Sequence, residues 1–228
     1  MAADCSIVFA LYPGVTQLDF TGPAEVLARL PGARCVLASV LGGELESDSK
    51  LTFSRLLRLA DVPRAELLCV PGGSGSTAAM EDPAYLAELR RLAAGAKYVT
   101  SVCTGSLLLA AAGLLRGRRA ACHWAFRDLL APFGVTPDPA RVVRDGNVFT
   151  GGGVTAGIDL GLAVTAEIAG RDFAEAVQLG LEYAPAPPFD AGRPEQARPE
   201  IVQLVEQRFA PLRRGRAAAV ARIVGDLG

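Results

Sequence analysis

Short apolar segments alternate with longer amphipathic segments along most of this chain. Runs rich in Val, Ile, Leu and Cys are typical of parallel strands that are covered on both faces. Such runs occupy residues 5–11, 34–40, 66–70, 97–102 and 118–122. Helical patterns occupy residues 22–30, 83–95, 106–114 and 123–131. The alternation predicts a doubly wound α/β domain with a mostly parallel sheet and helices on both faces.

The remaining segments add smaller features to this domain. Residues 141–145 and 148–150 flank a turn containing Gly146, which predicts a hairpin, and residues 45–53 predict another short β excursion. Helical patterns return at 154–182 and, after a proline-rich stretch, at 199–227, which we interpret as one or two helices. No repeat or linker divides the chain. We therefore predict one domain, in which residues 191–228 are a helical extension of an α/β part at residues 1–190.

The charge balance disfavours nucleic acid and anionic membranes as partners. The chain of 228 residues has 23 basic and 24 acidic side chains, so no broad basic surface is expected for nucleic-acid phosphates or anionic lipid. The uncharged stretch between Lys97 and Arg116 changes from a strand pattern to a helical one, so it does not predict a membrane span. We expect neither a nucleic-acid nor a membrane partner.

Cysteine and histidine usage narrows the chemistry and the compartment. The chain has five cysteines, with no Cys-x-x-Cys pair, and one histidine, so multi-histidine zinc sites are excluded and no metal is expected. An odd number of cysteines and an N-terminus without the basic residues of a secretory signal indicate reduced thiols in a cytoplasmic protein.

Cys103 is the leading candidate for a reactive group. It lies where the predicted strand 97–102 turns into a helix, a placement comparable to the nucleophile elbow of hydrolases. Because a thiol at a helix N-terminus faces the positive end of the helix dipole, we expect its pKa to be lowered. The other four cysteines lie in or at the ends of apolar strands and are interpreted as buried structural thiols.

Two further loops are expected at the same edge of the sheet, where α/β proteins bind their ligands. The loop 70–76 is rich in glycine but lacks the lysine of a P-loop, and the amides of Gly73 and Thr104 could face each other as an oxyanion site. Asp19 lies between two apolar residues before a helix predicted to begin near Gly22. It is either a capping acid or, if it points toward Cys103, a buried acid whose pKa is raised.

His123 follows the last predicted strand at this edge. A lone histidine is more often a structural hydrogen-bonding residue than a general base, and both interpretations stay open. The arginines of the C-terminal segment are interpreted as a solvated helix face. They are Arg213, Arg214, Arg216 and Arg222.

Six short motifs of this chain occur together in one known superfamily. They are 17–25 (QLDFTGPAE), 70–73 (VPGG), 102–105 (VCTG), 120–124 (AACHW), 151–159 (GGGVTAGID) and 182–189 (EYAPAPPF). Together they resemble the ThiJ/PfpI superfamily, and the proline-rich segment after Glu182 points to its isonitrile hydratase branch. The resemblance covers most of the chain and implies a flavodoxin-like sheet with a cysteine on such an elbow.

The resemblance implies roles for individual residues. Cys103 would be the nucleophile, Asp19 the acid beside it, Thr104 a polar partner, and Gly73 an oxyanion or substrate-facing amide. The implied reaction adds water to an isonitrile through a cysteine thioimidate and releases an N-substituted formamide, with no cofactor. A homodimer is also implied. The candidates for the wall of the substrate pocket are Val154 and Tyr183, and His123 is a further candidate for substrate or oxyanion binding.

Other activities remain open from the sequence. Cysteine peptidases of this superfamily usually have histidine directly after the nucleophile, and Thr104 in that place disfavours peptidase activity. Glyoxalase or deglycase chemistry on small 2-oxoaldehydes would also use a cysteine and an acid. Similar domains form the sensor half of AraC-type regulators, but residues 195–228 are too short and too weakly basic for the DNA-binding part. A ligand or redox sensor is the non-enzymatic alternative.

Overall fold

The computed structural model describes residues 5–226 and places an eight-stranded sheet at the centre of the molecule. Buried Val, Leu and Ile side chains on its inner strands form the hydrophobic core. The strands of this part of the chain are β1 (Cys5–Ala10), β2 (Ala33–Ser39), β3 (Gly43–Glu46), β4 (Thr52–Arg58), β5 (Leu67–Val70), β6 (Tyr98–Val102), β7 (Arg119–Ala120), β8 (Thr136–Pro137), β9 (Val142–Asp145) and β10 (Val148–Gly151).

The large sheet has the strand order β3-β4-β2-β1-β5-β6-β10-β9. Its inner pairs are all parallel, and only the edge strands β3 and β9 run antiparallel to their neighbours. Val70 pairs with Ser101, and Val102 pairs with Gly151, so β5, β6 and β10 end side by side. The loops that follow these three strands therefore meet at one edge of the sheet.

Helices cover the sheet in two groups. Helix α1 packs on α5, and α5 packs on α6. Helix α4 contacts α2 and α3, while α7 contacts α2 and a 3₁₀ helix at Trp124–Phe133. The mostly parallel, doubly wound fold predicted from the sequence is thus confirmed. The α-helices of the described residues are α1 (Leu18–Leu27), α2 (Ser76–Met80), α3 (Pro83–Gly95), α4 (Gly105–Ala111), α5 (Ala156–Ala169), α6 (Arg171–Gly180) and α7 (Pro199–Asp226).

The predicted strand at 118–122 is wrong as a member of the central sheet. Only Arg119–Ala120 is a strand, and it pairs with β8 in a separate two-stranded sheet, while β10 takes the place beside β6. The cause lies in the hydrogen bonds of Ala121. Its N–H donates to Thr150 Oγ1 at 2.8 Å, and its carbonyl accepts from Ser106 Oγ at 2.6 Å, so side chains satisfy this backbone instead of a ladder.

The first helix begins earlier than the sequence predicts. Pro23 is typical of a first helical position, which led to a predicted start near Gly22. The amides of Asp19 and Thr21 already donate to the carbonyls of Thr16 and Gln17 in a helical turn, so α1 starts at Leu18 and contains Pro23. Asp19 consequently lies inside the first turn of α1 and does not precede it.

Two predicted helices, at 154–182 and 123–131, differ from the structure, whereas α7 takes one of the two forms predicted for it. The helical segment 154–182 is divided into α5 and α6 at Gly170, whose φ of 89° interrupts the helix. The predicted helix at 123–131 is the 3₁₀ helix Trp124–Phe133. Helix α7 is one continuous helix, and the end of its predicted span at residue 227 lies outside the described residues. None of the helices within residues 5–226 is both long and apolar enough to cross a membrane.

The five cysteines differ in burial. Cys69, Cys103 and Cys122 are buried, and Cys5 is partly buried. Cys35 is exposed, so the prediction of a buried structural thiol is wrong at that position. It lies on β2, where the adjacent residues Arg34 and Cys35 are both exposed.

Candidate active site

Cys103 occupies a tight turn between β6 and α4. Its φ of 59° lies in the left-handed region that few residues other than glycine adopt. Its amide donates to the carbonyl of Gly152 at 2.7 Å, which ties the turn to the end of β10. A Cβ on Gly105 would lie 2.0 Å from the carbonyl oxygen of Val70, so glycine is required there. The turn leaves the Cys103 side chain 6% exposed at the edge of the sheet.

Asp19 reaches this edge from α1 and is fully buried. Its Oδ2 accepts a hydrogen bond from the amide of Gly72 at 2.8 Å. Its Oδ1 has no hydrogen-bond partner of standard geometry within residues 5–226. Burial raises the pKa of Asp19 to about 7, and the Gly72 amide and the nearby Cys103 thiol limit that rise. Near neutral pH this carboxyl can therefore both release and accept a proton.

The pKa of Cys103 moves in the direction opposite to the sequence-based expectation. Burial raises it well above the usual value, and the charges of Asp19 and Cys122 raise it further. The amide of Thr104 and the positive charge of Arg216 act against this rise. The helix N-terminus lowers the thiol pKa less than burial raises it, so the expected lowered pKa is wrong for the resting protein.

Thr104 and Gly73 lie together, but not through two facing amides. The amide of Gly73 donates to Thr104 Oγ1 at 3.1 Å, while the Thr104 amide interacts with the Cys103 thiol. A Cβ on Gly72 would lie 2.5 Å from the Thr104 nitrogen, which shows how closely the two loops approach. The donor directed at Cys103 is therefore the Thr104 amide, and an oxyanion role for Gly73 stays a prediction.

His123 lies in an aromatic cluster. Its ring centroid is 5.8 Å from that of Trp124 and 5.4 Å from that of Phe209, and its Nδ1 accepts from the Ala125 amide at 3.3 Å. Burial, assisted by the charge of Arg216, lowers the pKa of His123 to about 4. The imidazole is therefore neutral near pH 7, which favours the structural interpretation over an acid that titrates in this range.

A cavity of about 590 Å³ lies beside the loop that follows β10. Cys122 lines it, whereas Cys103 and Asp19 do not. His123 and Val154 both line it, as does Gly152, whose carbonyl accepts from the Cys103 amide. Tyr183 is not among the residues that line this cavity; its hydroxyl donates to Asp159 Oδ1 at 3.1 Å. Two of the three pocket candidates thus line the same cavity, and the third contacts it through Arg141, which is part of its wall.

The sequence did not single out Arg216. It was interpreted as part of a solvated helix face, but it is 2% exposed and lies beside the loop that follows β5. A signal was present, because Leu212, Ala219 and Val220 occupy the same side of α7 and pack into the core. An arginine inside that apolar stripe indicates burial, whereas Arg214 is exposed as predicted.

Fold and site together define an α/β protein with a thiol on a strand-to-helix turn and a buried carboxyl next to it. The chain belongs to the DJ-1/PfpI family, which residues 5–167 match. The resemblance predicted from the sequence motifs is confirmed by this match.

Individual relatives agree with this assignment. The isonitrile hydratase of Pseudomonas putida is 48% identical over 221 residues, which cover 97% of both chains. A ThiJ/PfpI family protein from Pseudomonas syringae has a crystal structure that matches with a TM-score of 0.93 at 40% identity, covering 96% of this chain and 91% of that one. The HTH-type transcriptional regulator CdhR of Pseudomonas aeruginosa is 32% identical over 184 residues, which cover 77% of this chain and 53% of the regulator.

Proposed function

We propose that this protein is an isonitrile hydratase, which adds water to an isonitrile and forms an N-substituted formamide. The observation that carries the proposal is the pairing of Cys103 with a buried Asp19 whose pKa is about 7. The similarity to an isonitrile hydratase over nearly the whole chain supports the same reaction. An isonitrile has a terminal carbon that accepts both a proton and a nucleophile, so a thiol and a carboxyl suit it.

The first step joins the thiol to the substrate. Asp19 accepts the proton of the Cys103 thiol and passes it to the terminal carbon of the isonitrile, while the sulfur forms a bond to the same carbon. The product is a thioimidate in which that carbon carries one hydrogen and the nitrogen keeps its substituent. The Thr104 amide, which interacts with the sulfur, stabilises negative charge on it during the attack.

The second step releases the formamide. A water molecule adds to the thioimidate carbon, and Asp19 takes one of its protons and passes it to the nitrogen. The carbon–sulfur bond then breaks as the carbonyl forms, and the remaining hydroxyl proton is transferred through Asp19 to the sulfur, which restores the thiol. The sum of both steps is isonitrile plus water giving formamide, and the protein returns to its starting state without a cofactor.

The cavity beside Gly152 is the proposed place for the substituent of the isonitrile. Val154 and His123 form part of its wall, and the neutral imidazole adds an uncharged surface. Tyr183 would act on the pocket through Arg141, a residue of the cavity wall. It interacts with Arg141 directly and also through Asp159, which binds both the Tyr183 hydroxyl and the Arg141 guanidinium. We also propose a cytoplasmic location and a homodimer, as the sequence and the resemblance imply. The chain would form one domain, in which residues 191–228 extend the α/β part at residues 1–190.

The test offers two substrates to the same protein. Purified protein is incubated with a simple alkyl isonitrile and, separately, with methylglyoxal, and both products are measured by chromatography. We expect formamide from the isonitrile and no comparable loss of methylglyoxal. Conversion of methylglyoxal alone would replace this proposal by the glyoxalase or deglycase activity, and conversion of neither with Cys103 shown to be reduced would contradict an enzymatic role on these substrates.

A further inference from the structure

Arg216 is a buried cation that the proposed mechanism does not yet use. Its Nη2 donates to the carbonyl of Gly73 at 2.7 Å, and its Nε donates to Ser76 Oγ at 3.1 Å. Its guanidinium carbon lies 4.0 Å from the ring centroid of Phe126. These contacts join α7 to the loop that follows β5 and to the start of α2.

No carboxylate of residues 5–226 lies within ion-pair distance of Arg216. Two other arginines of α7 differ in this respect, since Arg213 pairs with Asp128 and Arg222 pairs with Glu81 at the surface. Burying a charge without a counter-ion is costly, because the hydration of the guanidinium is lost. Packing alone therefore does not explain why a charged residue is buried at position 216.

The titratable groups that surround this charge are those of the site. The charge of Cys103 acts most strongly on Arg216, followed by those of Tyr12 and Cys122. The charge of Arg216 lowers the pKa of Cys103 and Cys122 and disfavours a proton on His123. A thiolate formed at Cys103 would thus be a counter-ion for Arg216, which has none among the described carboxylates of the resting protein.

The hydrogen bond from Arg216 to Gly73 also affects the positions of Thr104 and Asp19. Arg216 fixes the carbonyl of Gly73, and the amide of the same residue donates to Thr104 Oγ1. The preceding amide, that of Gly72, donates to Asp19. Movement of this loop would change the placement of both Thr104 and Asp19 relative to the thiol.

We propose that Arg216 is a positioning residue of the active site, which holds the Gly72–Gly73 loop against Asp19 and Thr104 and presents a positive charge to the Cys103 thiolate. Helix α7, which lies outside the segment that matches the family, would then complete the site. The proposal rests on the proposed hydratase function only for the expected change in kcat/KM with an isonitrile. The expected change in Cys103 reactivity does not depend on that function.

The test compares four proteins: the wild type, Arg216→Met, Arg216→Lys and Arg222→Met. The last is the matched control, because it removes another arginine that links α7 to the end of α2. The rate of Cys103 alkylation by iodoacetamide is measured by peptide mass spectrometry between pH 7 and pH 10. Circular dichroism and thermal melting establish that each variant is folded, and Arg216→Gln replaces Arg216→Met if the latter is not.

We expect Arg216→Met to slow alkylation of Cys103 by about 10-fold at a given pH, because the thiolate loses its neighbouring cation. Arg216→Lys should restore most of the rate, and Arg222→Met should leave it unchanged. With an isonitrile as substrate, Arg216→Met should lower kcat/KM by about 100-fold, while Arg222→Met should not lower it.

Two results would overturn the proposal: an unchanged alkylation rate in a folded, uncharged variant at position 216, or an equal decrease in Arg222→Met. The alkylation measurement needs no isonitrile. If the wild-type protein does not hydrate isonitriles, the proposed function fails, whereas the role of Arg216 toward the thiol is still decided by alkylation.

Discussion

Cys103 and Cys122 are two buried thiols under the influence of the same arginine, yet their surroundings differ. Burial raises the pKa of Cys122 to about 12 and also raises that of Cys103 well above its usual value. Only Cys103 lies close enough to the Asp19 carboxyl to affect the pKa of that acid. A high pKa therefore does not distinguish the candidate nucleophile Cys103 from Cys122. The feature that distinguishes Cys103 is a neighbouring carboxyl that can accept the proton of its thiol.

The backbones around the two thiols differ as well. Cys103 lies in a turn with a positive φ, where two loops leave no space for a side chain at Gly72 or Gly105. Cys122 lies in an irregular segment before a 3₁₀ helix, and a Cβ on nearby Gly153 would meet only the His123 ring at 3.2 Å. A buried ring can shift by a few tenths of an ångström more easily than a backbone carbonyl. The geometry around Cys103 is therefore the more restrictive.

The largest expected effect separates the two thiols directly. Cys103→Ser should reduce formamide production to the uncatalysed background, because the serine hydroxyl is a far weaker nucleophile than a thiol near neutral pH. Cys122→Ser should keep a kcat/KM within about 10-fold of the wild type, since it forms no bond to substrate. Steady-state kinetics with one isonitrile measure both. Equal losses in the two variants would remove the distinction between the thiols.

Asp19→Asn should have the next largest effect. We expect a decrease in kcat/KM of about 100-fold or more, because the amide cannot transfer the thiol proton. In the wild type the reactive form has Asp19 ionised and the Cys103 thiol protonated. The value of kcat/KM should therefore rise as the pH increases through about 7, where Asp19 loses its proton. A pH profile from 5 to 9 checks this. Retention of the same rise in Asp19→Asn would show that another group titrates.

Glycine substitutions compare the rigidity of the two regions. Gly105→Ala should destabilise the fold by about 3 kcal/mol or more, because its Cβ would lie 2.0 Å from the carbonyl oxygen of Val70. Gly153→Ala should cost about 1 kcal/mol or less, since only the His123 ring must move. Urea unfolding followed by circular dichroism gives both values. Similar costs at the two positions would contradict the difference in restraint.

The smallest expected effect is at His123. Its pKa of about 4 leaves it neutral over the working range, so His123→Gln should not change the shape of the pH profile of kcat/KM between pH 6 and pH 9. Its ring contacts suggest a modest decrease in thermal stability instead. Loss of a limb of the pH profile in this variant would make His123 a general acid or base.

The sequence was informative where local chemistry determines the structure. The Cys103 turn was predictable because an apolar strand meets Thr104, Gly105 and Ser106, residues typical of a turn and of a helix start. The alternation of apolar runs and helices likewise predicted the parallel sheet. Asp19 was left between two interpretations, since its burial depends on how α1 packs against the loop at Gly72.

Tertiary contacts account for what the sequence did not predict. Segment 118–122 has the composition of a core strand, but its backbone forms hydrogen bonds with the side chains of Ser106 and Thr150. These two residues are 15 and 29 positions away from Ala121, so a local pattern does not predict the bonds. The burial of Arg216 depends on α7 folding back against Phe126 and Gly73. The lowered thiol pKa expected from the helix N-terminus neglected burial, whose size is set by the whole fold.

The most direct test of the central claim is intact-protein mass spectrometry during turnover of a simple alkyl isonitrile. Covalent catalysis predicts a transient increase in mass equal to that of the isonitrile, located to Cys103 by peptide analysis and absent in Cys103→Ser. The increase should disappear as the substrate is consumed. Formamide production without any adduct at Cys103, or with an adduct at Cys122 instead, would contradict the account.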